Sequence, residues 1–265
     1  MHRFKTRTRP APLRWMGRLA RAMCMLGLPL VTVSGHAAGQ SVRNIVLVHG
    51  AFADGSSWAP VLALLQRKGY HVTAVQNPLT SLADDVAATR RVLARQHGDV
   101  ILVGHSWAGA VVTEAGNAPN VKGIVYVSAL VPDSGESVNA ALARLHAPMQ
   151  GMQPDQDGLI WLNDPAAYRH VMAGDVSAAQ VELLAAVAPP IAAGAFEGKI
   201  AHAAWHDKPS WYLITEGDHA LPTSVQRRMA EQIGAHRVTL ASSHMSLLSH
   251  PAEVARLIER AAAGR

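Results

Sequence analysis

A serine with small neighbours follows an apolar run in the stretch ILVGHSWAGA, from Ile101 to Ala110. The stretch is close to G-x-S-x-G, the pattern of a nucleophilic serine on a sharp turn between a strand and a helix. Ala108 stands at the last glycine position, and Gly109 follows one residue late. An alanine in the first helical turn requires only a negative φ, so the departure is tolerable. Ser106 is therefore a candidate nucleophile; the alternative is an ordinary serine at a helix start.

A nucleophilic serine needs a base to take its proton, and an acid that orients the base. His244 lies in LASSHMSLLSHP, on a loop between the sixth apolar run and the last helix-like stretch. Asp218 lies in ITEGDHALP, after the fifth apolar run, and Glu216 is the alternative acid. Asp218 is favoured because Gly217 frees the chain to turn just before it. The chain order serine, acid, histidine predicts a triad of Ser106, Asp218 and His244.

Acyl transfer also needs donors for the oxyanion. The first apolar run, in VLVHGAFADGSSW, ends at His49, Gly50 and Ala51. In a parallel sheet this strand lies next to the strand that carries the serine. We therefore predict that the backbone N–H groups of Ala51 and of Trp107, the residue after the serine, form an oxyanion hole.

The remaining histidines have simpler interpretations. His105, beside the serine, is expected to be a structural hydrogen-bonding residue under the sheet edge. His219 and His250 adjoin motif residues but need no chemical role. His202 and His206 have the i,i+4 spacing of two metal ligands on a helix, but they lack the glutamate of H-E-x-x-H and an obvious third ligand. No metal site is predicted.

Short apolar runs alternate with helix-like stretches along most of the chain. Six runs indicate strands: IVLVHG, HVTAVQ, DVILVGH, VKGIVYVSAL, SWYLITE and HRVTLA. Strands that are almost continuously apolar and alternate with helices indicate an α/β fold, with a mostly parallel sheet covered on both faces. Such sheets bind ligands at the carboxyl ends of their strands. Asp84 and Asp85 open one helix-like stretch and are interpreted as charges that suit its dipole.

One interval breaks this alternation, from Ser134 to Asp207. It is far longer than an ordinary connection and contains helix-like pieces, so we predict a helical cap inserted at about 134–207. Its aromatic residues either line an apolar pocket or pack the cap onto the body; they are Trp161, Tyr168, Phe196 and Trp205.

Charge is distributed unevenly along the chain. The formal net charge is +5, but seven of the 24 basic residues precede Ala38, and the first acidic residue is Asp54. The rest of the chain carries 17 basic and 19 acidic residues. The basic balance therefore belongs to the N-terminal segment and does not indicate a nucleic-acid-binding face.

Residues 1–37 have the pattern of a signal peptide. A basic stretch precedes the apolar AMCMLGLPLVTV, and small residues then resemble a cleavage site. The apolar stretch is shorter than the roughly 20 residues of a spanning helix, and an uncleaved anchor is the alternative. We expect a periplasmic or secreted protein of residues 38–265. The only cysteine, Cys24, precedes this part, so neither disulfides nor thiol chemistry is expected there.

These motifs resemble the α/β-hydrolase superfamily, in the compact branch of plant-type methylesterases, hydroxynitrile lyases and bacterial carboxylesterases. VLVHGAFADGSSWAPVLALLQRKGYHVTAV is similar to that branch's first strand-helix-strand unit, GHSWAGAV to its nucleophile elbow, and SHMSLLSHPAEVA to its histidine loop. The likeness spans Asn44 to about Pro132 and Ser210 to the end, while the cap matches in length and position only. It implies the α/β-hydrolase fold.

The resemblance assigns Ser106 as nucleophile, His244 as base, Asp218 as orienting acid, and Ala51 and Trp107 as oxyanion donors. It implies hydrolysis of small to medium carboxylic esters through an acyl-enzyme. A small-molecule ester is then the partner, with no cofactor, no nucleic acid and no stable membrane association after signal cleavage.

Three other activities remain open. A hydroxynitrile lyase of this branch carries lysine directly after the histidine, where this chain has Met245. A cofactor-free haloperoxidase or perhydrolase can use the same triad. The alternative that is not an enzyme is a ligand receptor with the hydrolase fold.

Overall fold

The computed structural model of the chain describes residues 42–147 and 151–265. The predicted signal peptide, residues 1–37, lies outside the described residues. In chain order, the strands are β1 (Asn44–Val48), β2 (His71–Ala74), β3 (Val100–His105), β4 (Val121–Val127), β5 (Leu159–Ile160), β6 (Ile191–Ala192), β7 (Ser210–Thr215) and β8 (His236–Leu240). The α-helices are α1 (Ala59–Arg67), α2 (Leu82–Leu93), α3 (Ala108–Ala115), α4 (Val138–Arg144), α5 (Pro165–Val171), α6 (Ala178–Val187), α7 (Thr223–Gln232), α8 (Ser246–Ser249) and α9 (Pro251–Ala262).

Six of these strands form one parallel sheet in the order β2-β1-β3-β4-β7-β8. They are the six apolar runs of the sequence, so the predicted fold class is confirmed. Every residue of β3 is buried. Because alternate side chains of a strand point to opposite faces, this burial means that both faces of the sheet are covered there. α1 packs beside α9, and α2 packs beside α3.

The register brings the carboxyl ends of the central strands to one level. Val48 of β1 lies opposite Gly104 of β3, and His105 of β3 lies opposite Val127 of β4. Residues that follow these three strands therefore meet at one edge of the sheet. This edge is where a doubly wound sheet places ligands.

Backbone strain concentrates at the same edge. Among the described residues, five that are not glycine have positive φ, and four of them lie just beyond the carboxyl ends of β1 to β4. Those four are Phe52, Leu79, Ser106 and Ser128. A non-glycine residue in this region costs free energy and persists only where the surroundings impose it, and such residues cluster at functional sites.

The segment between β4 and β7 packs over this edge. It contains α4, α5, α6 and a two-stranded antiparallel sheet of β5 and β6. Ala192 N–H donates to the Leu79 carbonyl at 2.9 Å, and Met245 N–H donates to the Met172 carbonyl at 3.0 Å. Both bonds join the segment to loops of the body that follow strands. Within the described ranges, no helix is both long enough and apolar enough to cross a membrane.

Candidate active site

Ser106 is fixed on a sharp turn between β3 and α3. Its φ is 55°, in the left-handed region. Its N–H donates to the Val127 carbonyl at 3.1 Å, and its carbonyl accepts from Leu130 N–H at 3.0 Å and from Gly109 N–H at 2.9 Å. The backbone on both sides of the serine is thus tied to the end of β4 and to the first turn of α3. A strained residue held in this way keeps its side chain at the strand end.

The displaced glycine of the motif has a steric reason. A Cβ on Gly109 would collide with the Leu130 carbonyl oxygen, so the chain after β4 can approach α3 only beside a glycine. Ala108 is the first residue of α3 and has the expected negative φ. On the other side of the serine, a Cβ on Gly50 would lie 2.7 Å from the Ser106 Cβ. The turn therefore requires its small residues at 50 and 109, and alanine at 108 is accommodated.

His244 and Asp218 form a buried pair at the same edge. The His244 Nδ1 and the Asp218 Oδ2 are 2.7 Å apart, and the residues are 1% and 7% exposed. Thr215 Oγ1 and Gln226 Nε2 also donate to Asp218 Oδ2, at 2.7 and 2.9 Å. The other carboxylate oxygen accepts two backbone N–H groups, including that of Leu221 at 2.8 Å. Both oxygens of the Asp218 carboxylate therefore accept hydrogen bonds.

These contacts set the ionisation of Asp218. Burial acts to raise its pKa, but the His244 charge and the hydrogen bonds outweigh burial and hold the pKa below its ordinary value. An ionised Asp218 accepts a hydrogen bond from the His244 Nδ1–H group, which leaves Nε2 as the basic nitrogen. That Nε2 is buried and has no hydrogen-bond partner among the described residues. His244 and Ser106 line the same cavity.

Glu216, the alternative acid, has a different partner. Its carboxylate is half-exposed and pairs with Arg227 at 2.9 Å. Of the two candidate acids, the structure therefore places only Asp218 against His244.

The cavity above Ser106 has a volume of about 550 Å³. Ala51 and Trp107 line it together with Ser106 and His244. Within the described part of the chain, neither the Ala51 N–H nor the Trp107 N–H donates to a protein acceptor. Two free N–H groups beside the serine are what an oxyanion hole requires. No Asp, Glu, Lys or Arg is among the described residues that line the cavity.

The cap is bonded to the histidine loop beside this cavity. Asp175, between α5 and α6, accepts from Ser243 N–H at 3.1 Å and from the Ser243 hydroxyl. Ser243 directly precedes His244, and Met245 donates to the cap from the other side. His244 is therefore flanked by two backbone anchors to the cap, which sequence reasoning did not find.

Two buried histidines have structural contacts. His105 Nε2 donates to the His244 carbonyl at 3.0 Å, as its predicted structural role requires. Burial, and then the nearby His244 charge, lower the pKa of His105 to about 3. His49, which sequence reasoning passed over, accepts Asn77 N–H at 2.9 Å through Nε2. Burial lowers its pKa as well. Both rings are neutral near pH 7 and support the loops around the serine.

The four cap aromatics divide between the two roles considered for them. Phe196 lines the cavity and packs against the Trp107 ring at 5.0 Å between centroids. Tyr168 is buried and donates to the Phe52 carbonyl at 3.2 Å. Trp161 is 47% exposed and donates to Asp155, while Trp205 donates to the Pro132 carbonyl. Of these four aromatic residues, only Phe196 lines the cavity.

The two histidines of HAAWH each pair with a different carboxylate. His202 pairs with Asp207 at 2.7 Å, and His206 pairs with Asp133 at 2.8 Å. No group of three or more His, Cys, Asp or Glu suited to a metal occurs in the ranges that the structure describes.

Asp85 lies in the first turn of α2, as the sequence predicts, but its interpretation as only a helix-terminal charge was incomplete. Asp84 has that role, since it bonds Ser81 and Thr80 at the start of α2. Asp85 is fully buried, and its Oδ2 accepts the Trp107 indole Nε1–H at 2.7 Å. The sequence contained a signal for this, because Asp85 lies three residues after Leu82 and therefore shares the apolar face of the helix.

Comparisons with known proteins agree with the fold and with the family. The profile of the alpha/beta hydrolase family matches residues 45–257. The alpha/beta hydrolase nvfD of Aspergillus novofumigatus is 29% identical over 240 residues, which cover 82% of this chain and 96% of the relative. A pyrethroid hydrolase of Sphingobium wenxiniae is 27% identical over 248 residues, which cover 82% and 87%.

Solved structures show the same fold. The crystal structure of polyneuridine aldehyde esterase has a TM-score of 0.71 to this chain at 22% identity, and the match covers 83% of this chain and 99% of that one. The sheet order, the strained serine between β3 and α3, and the profile match over most of the chain agree with one another. The chain belongs to the alpha/beta hydrolase family.

Proposed function

We propose that this protein is a carboxylesterase-type serine hydrolase, which cleaves esters of small to medium size through an acyl-enzyme on Ser106. One observation carries the proposal: His244 is bonded through Nδ1 to a buried carboxylate, its Nε2 has no partner among the described residues, and His244 lines the same cavity as Ser106. A base oriented in this way, at the same cavity as a serine on a strained turn, supports the role of that serine as a nucleophile.

The reaction runs in two halves. The Ser106 Oγ–H proton passes to His244 Nε2 as Oγ bonds to the ester carbonyl carbon, and the carbonyl oxygen becomes an oxyanion. The N–H groups of Ala51 and Trp107 stabilise this charge, and Asp218 stabilises the imidazolium. The intermediate collapses, the bond to the alcohol oxygen breaks, and Nε2 returns the proton to the leaving alcohol. Water then attacks the acyl carbon as Nε2 takes its proton, the bond from that carbon to Ser106 Oγ breaks, and Nε2 returns the proton to Oγ as the carboxylic acid leaves.

The cavity supports an uncharged ester as the substrate. Its described lining combines apolar side chains with hydroxyl and imidazole groups and contains no Asp, Glu, Lys or Arg, and its volume of about 550 Å³ suits a molecule of small to medium size. A fixed charge on the acyl or alcohol group would lose its hydration there without gaining an oppositely charged side chain. Relatives named as a pyrethroid hydrolase and as polyneuridine aldehyde esterase favour esters in the same way.

We also propose that the protein acts outside the cytoplasm. The support is the basic-apolar-small pattern of residues 1–37. N-terminal sequencing of the protein from the extracytoplasmic fraction is expected to begin near Ala38 or Gly39. A product that still begins at Met1 in the membrane fraction would support the anchor instead.

Ser106→Ala tests the proposed activity directly. On a panel of 4-nitrophenyl esters of rising acyl length, the variant should lose roughly 10⁴–10⁶ in kcat, since one member of a triad has been removed. Ser56→Ala, which removes an exposed hydroxyl near the same edge, is the control and should keep the wild-type kcat. A Ser106→Ala protein that retains more than a few per cent of the activity would exclude Ser106 as nucleophile.

A receptor and a perhydrolase would each behave differently from an esterase. A receptor would release one burst of 4-nitrophenol and then stall. A perhydrolase would form peracid from hydrogen peroxide and the free acid at a rate comparable with ester hydrolysis. The proposed esterase should turn over many times on an ester without peroxide.

A further inference from the structure

Asp85 is a buried ionisable group that the mechanism above does not use. It lies in the first turns of α2 and is fully buried. Its Oδ1 accepts Leu79 N–H at 2.8 Å, and its Oδ2 accepts Trp107 Nε1–H at 2.7 Å. Among the ion pairs of the described residues, none includes Asp85.

A carboxyl group at this position costs stability. Burial raises the pKa of Asp85 to about 6, and the hydrogen bonds from Trp107 and Leu79 offset only part of that effect. The neighbouring helix positions that face the core hold apolar residues, among them Leu82 and Val86. An apolar side chain would pack here without desolvating a charge. The benefit that offsets the cost must lie in what the two oxygens hold.

One oxygen holds the residue after the nucleophile. The Trp107 side chain is fixed at Nε1 by Asp85, and its ring packs edge-on against Phe196 of the cap. The peptide between Ser106 and Trp107 carries an N–H group of the proposed oxyanion hole. Because the indole is buried, bonded to Asp85 and packed against Phe196, these contacts hold the Trp107 side chain, and with it the Cα that follows this N–H, in one place.

The other oxygen holds the loop after β2. Leu79 has a φ of 59°, and its N–H is bonded by Asp85. The Leu79 carbonyl accepts Ala192 N–H from the cap. A single oxygen of an asparagine cannot reproduce both contacts, which use separate oxygens in fixed directions. The carboxyl group thus joins the nucleophile elbow to a loop that also supports the cap.

We propose that Asp85 is a positioning residue, which holds the Trp107 peptide N–H toward the developing oxyanion through its hydrogen bond to the Trp107 indole. This inference rests on the proposed serine hydrolase function. It predicts that Asp85 contributes to the transition state more than to substrate binding, so its loss lowers kcat while KM stays nearly constant.

Three variants form the test: Asp85→Asn, Trp107→Phe and the double variant. Removing an oxyanion donor outright costs roughly 10²–10³ in kcat, and a donor that is only misaligned should cost less, about tenfold to a hundredfold. Each single variant should therefore lose about that much, with KM within about twofold. The double variant should lose no more than either single one, because both remove the same contact.

A transition-state analogue provides the second readout. A trifluoromethyl ketone bonds to the serine and places an oxyanion between the two N–H groups. Its inhibition constant should rise across the variants in proportion to the loss of kcat/KM. Asp84→Asn, which changes the exposed neighbouring carboxylate, is the matched control and should alter neither quantity. Thermal unfolding midpoints of all variants are measured alongside.

The possible outcomes distinguish a failure of the role proposed for Asp85 from a failure of the proposed serine hydrolase function. If the losses of kcat in the double variant multiply, Asp85 does not act through the indole. The same conclusion follows if a folded Trp107→Phe keeps the wild-type kcat, and that measurement is available even if Asp85→Asn fails to fold. Lowered unfolding midpoints with unchanged kcat and inhibition constant would mean a purely structural residue. A wild-type protein that neither hydrolyses esters nor reacts with a fluorophosphonate at Ser106 would overturn both proposals.

Discussion

Two buried aspartates lie beside the candidate active site, and they are held in opposite ways. Asp218 receives hydrogen bonds on both oxygens and contacts His244, which favours its charged form. Asp85 receives two neutral N–H donors and no cation within the described residues. The pKa of Asp218 therefore lies below its ordinary value, whereas burial raises that of Asp85 to about 6.

The difference shows how the environment assigns a role to the same side chain. A carboxylate that must stabilise a transient imidazolium is surrounded by donors that keep it ionised. A carboxyl group that only has to hold an indole and a peptide N–H needs two well-placed acceptor oxygens and tolerates a weaker preference for the charge. The surroundings of Asp218 thus suit stabilisation of a charged imidazole, and those of Asp85 suit the positioning of the two N–H groups that it accepts.

The largest expected effect concerns Asp218. Asp218→Asn should lower kcat by roughly 10⁴, because the imidazole loses the partner that fixes its tautomer. Glu216→Gln, two residues earlier, should cost at most about tenfold, since that carboxylate pairs with Arg227 on the surface. Steady-state kinetics, with circular dichroism as the check on folding, measures both. The reverse ranking would move the orienting acid to Glu216.

A smaller effect is expected from the hydrogen bonds around Asp218. Thr215→Val preserves the shape of a buried side chain and removes the hydroxyl that donates to Asp218 Oδ2. We expect kcat to fall by about tenfold or less, since charge-assisted hydrogen bonds contribute about 1.5–3 kcal/mol and the other donors remain. An unchanged kcat, measured on the same ester, would show that the remaining donors suffice.

The third prediction uses pH to contrast the two aspartates. The raised pKa of Asp85 means that its contribution to stability is present below about pH 4 and is lost as the pH rises through about 6. The stability of the wild type relative to Asp85→Asn should therefore fall between pH 4 and 7, by up to about 3 kcal/mol. Urea unfolding at unit pH intervals measures this difference.

Asp218 should behave in the opposite sense. Its lowered pKa means that its contribution to stability is present above about pH 4 and is lost as the pH falls further. The stability of the wild type relative to Asp218→Asn should then stay level between pH 5 and 7 and decline below pH 4. Parallel pH profiles for the two substitutions would refute the distinction drawn between the aspartates.

The sequence was sufficient to predict the fold and to place the candidate residues at one edge of the sheet. Continuous apolar runs define a doubly covered parallel sheet, and residues that follow its strands must meet at one edge, which brings Ser106 near the loop of Ala51. Only the structure showed which acid contacts His244, because Glu216 and Asp218 follow the same strand and differ by the direction of one turn.

The contacts of the cap were beyond sequence reasoning. Which aromatic residue lines the cavity depends on how α4, α5 and α6 settle on the sheet, and Phe196 differs from Trp161 in no local pattern. Asp85 shows a different limit. Its helical phase indicates burial, but its partner, Trp107, is on another helix start and becomes adjacent only when α2 packs beside α3.

The central claim is a covalent acyl intermediate on Ser106, and rapid quenching with a slow ester tests it most directly. The wild-type protein is mixed with 4-nitrophenyl pivalate, quenched in acid, digested and analysed by mass spectrometry. We predict one pivaloyl group per chain, on the peptide that contains Ser106, and none in Ser106→Ala. A wild-type protein that hydrolyses the ester while the pivaloyl group is found on another residue would contradict the account.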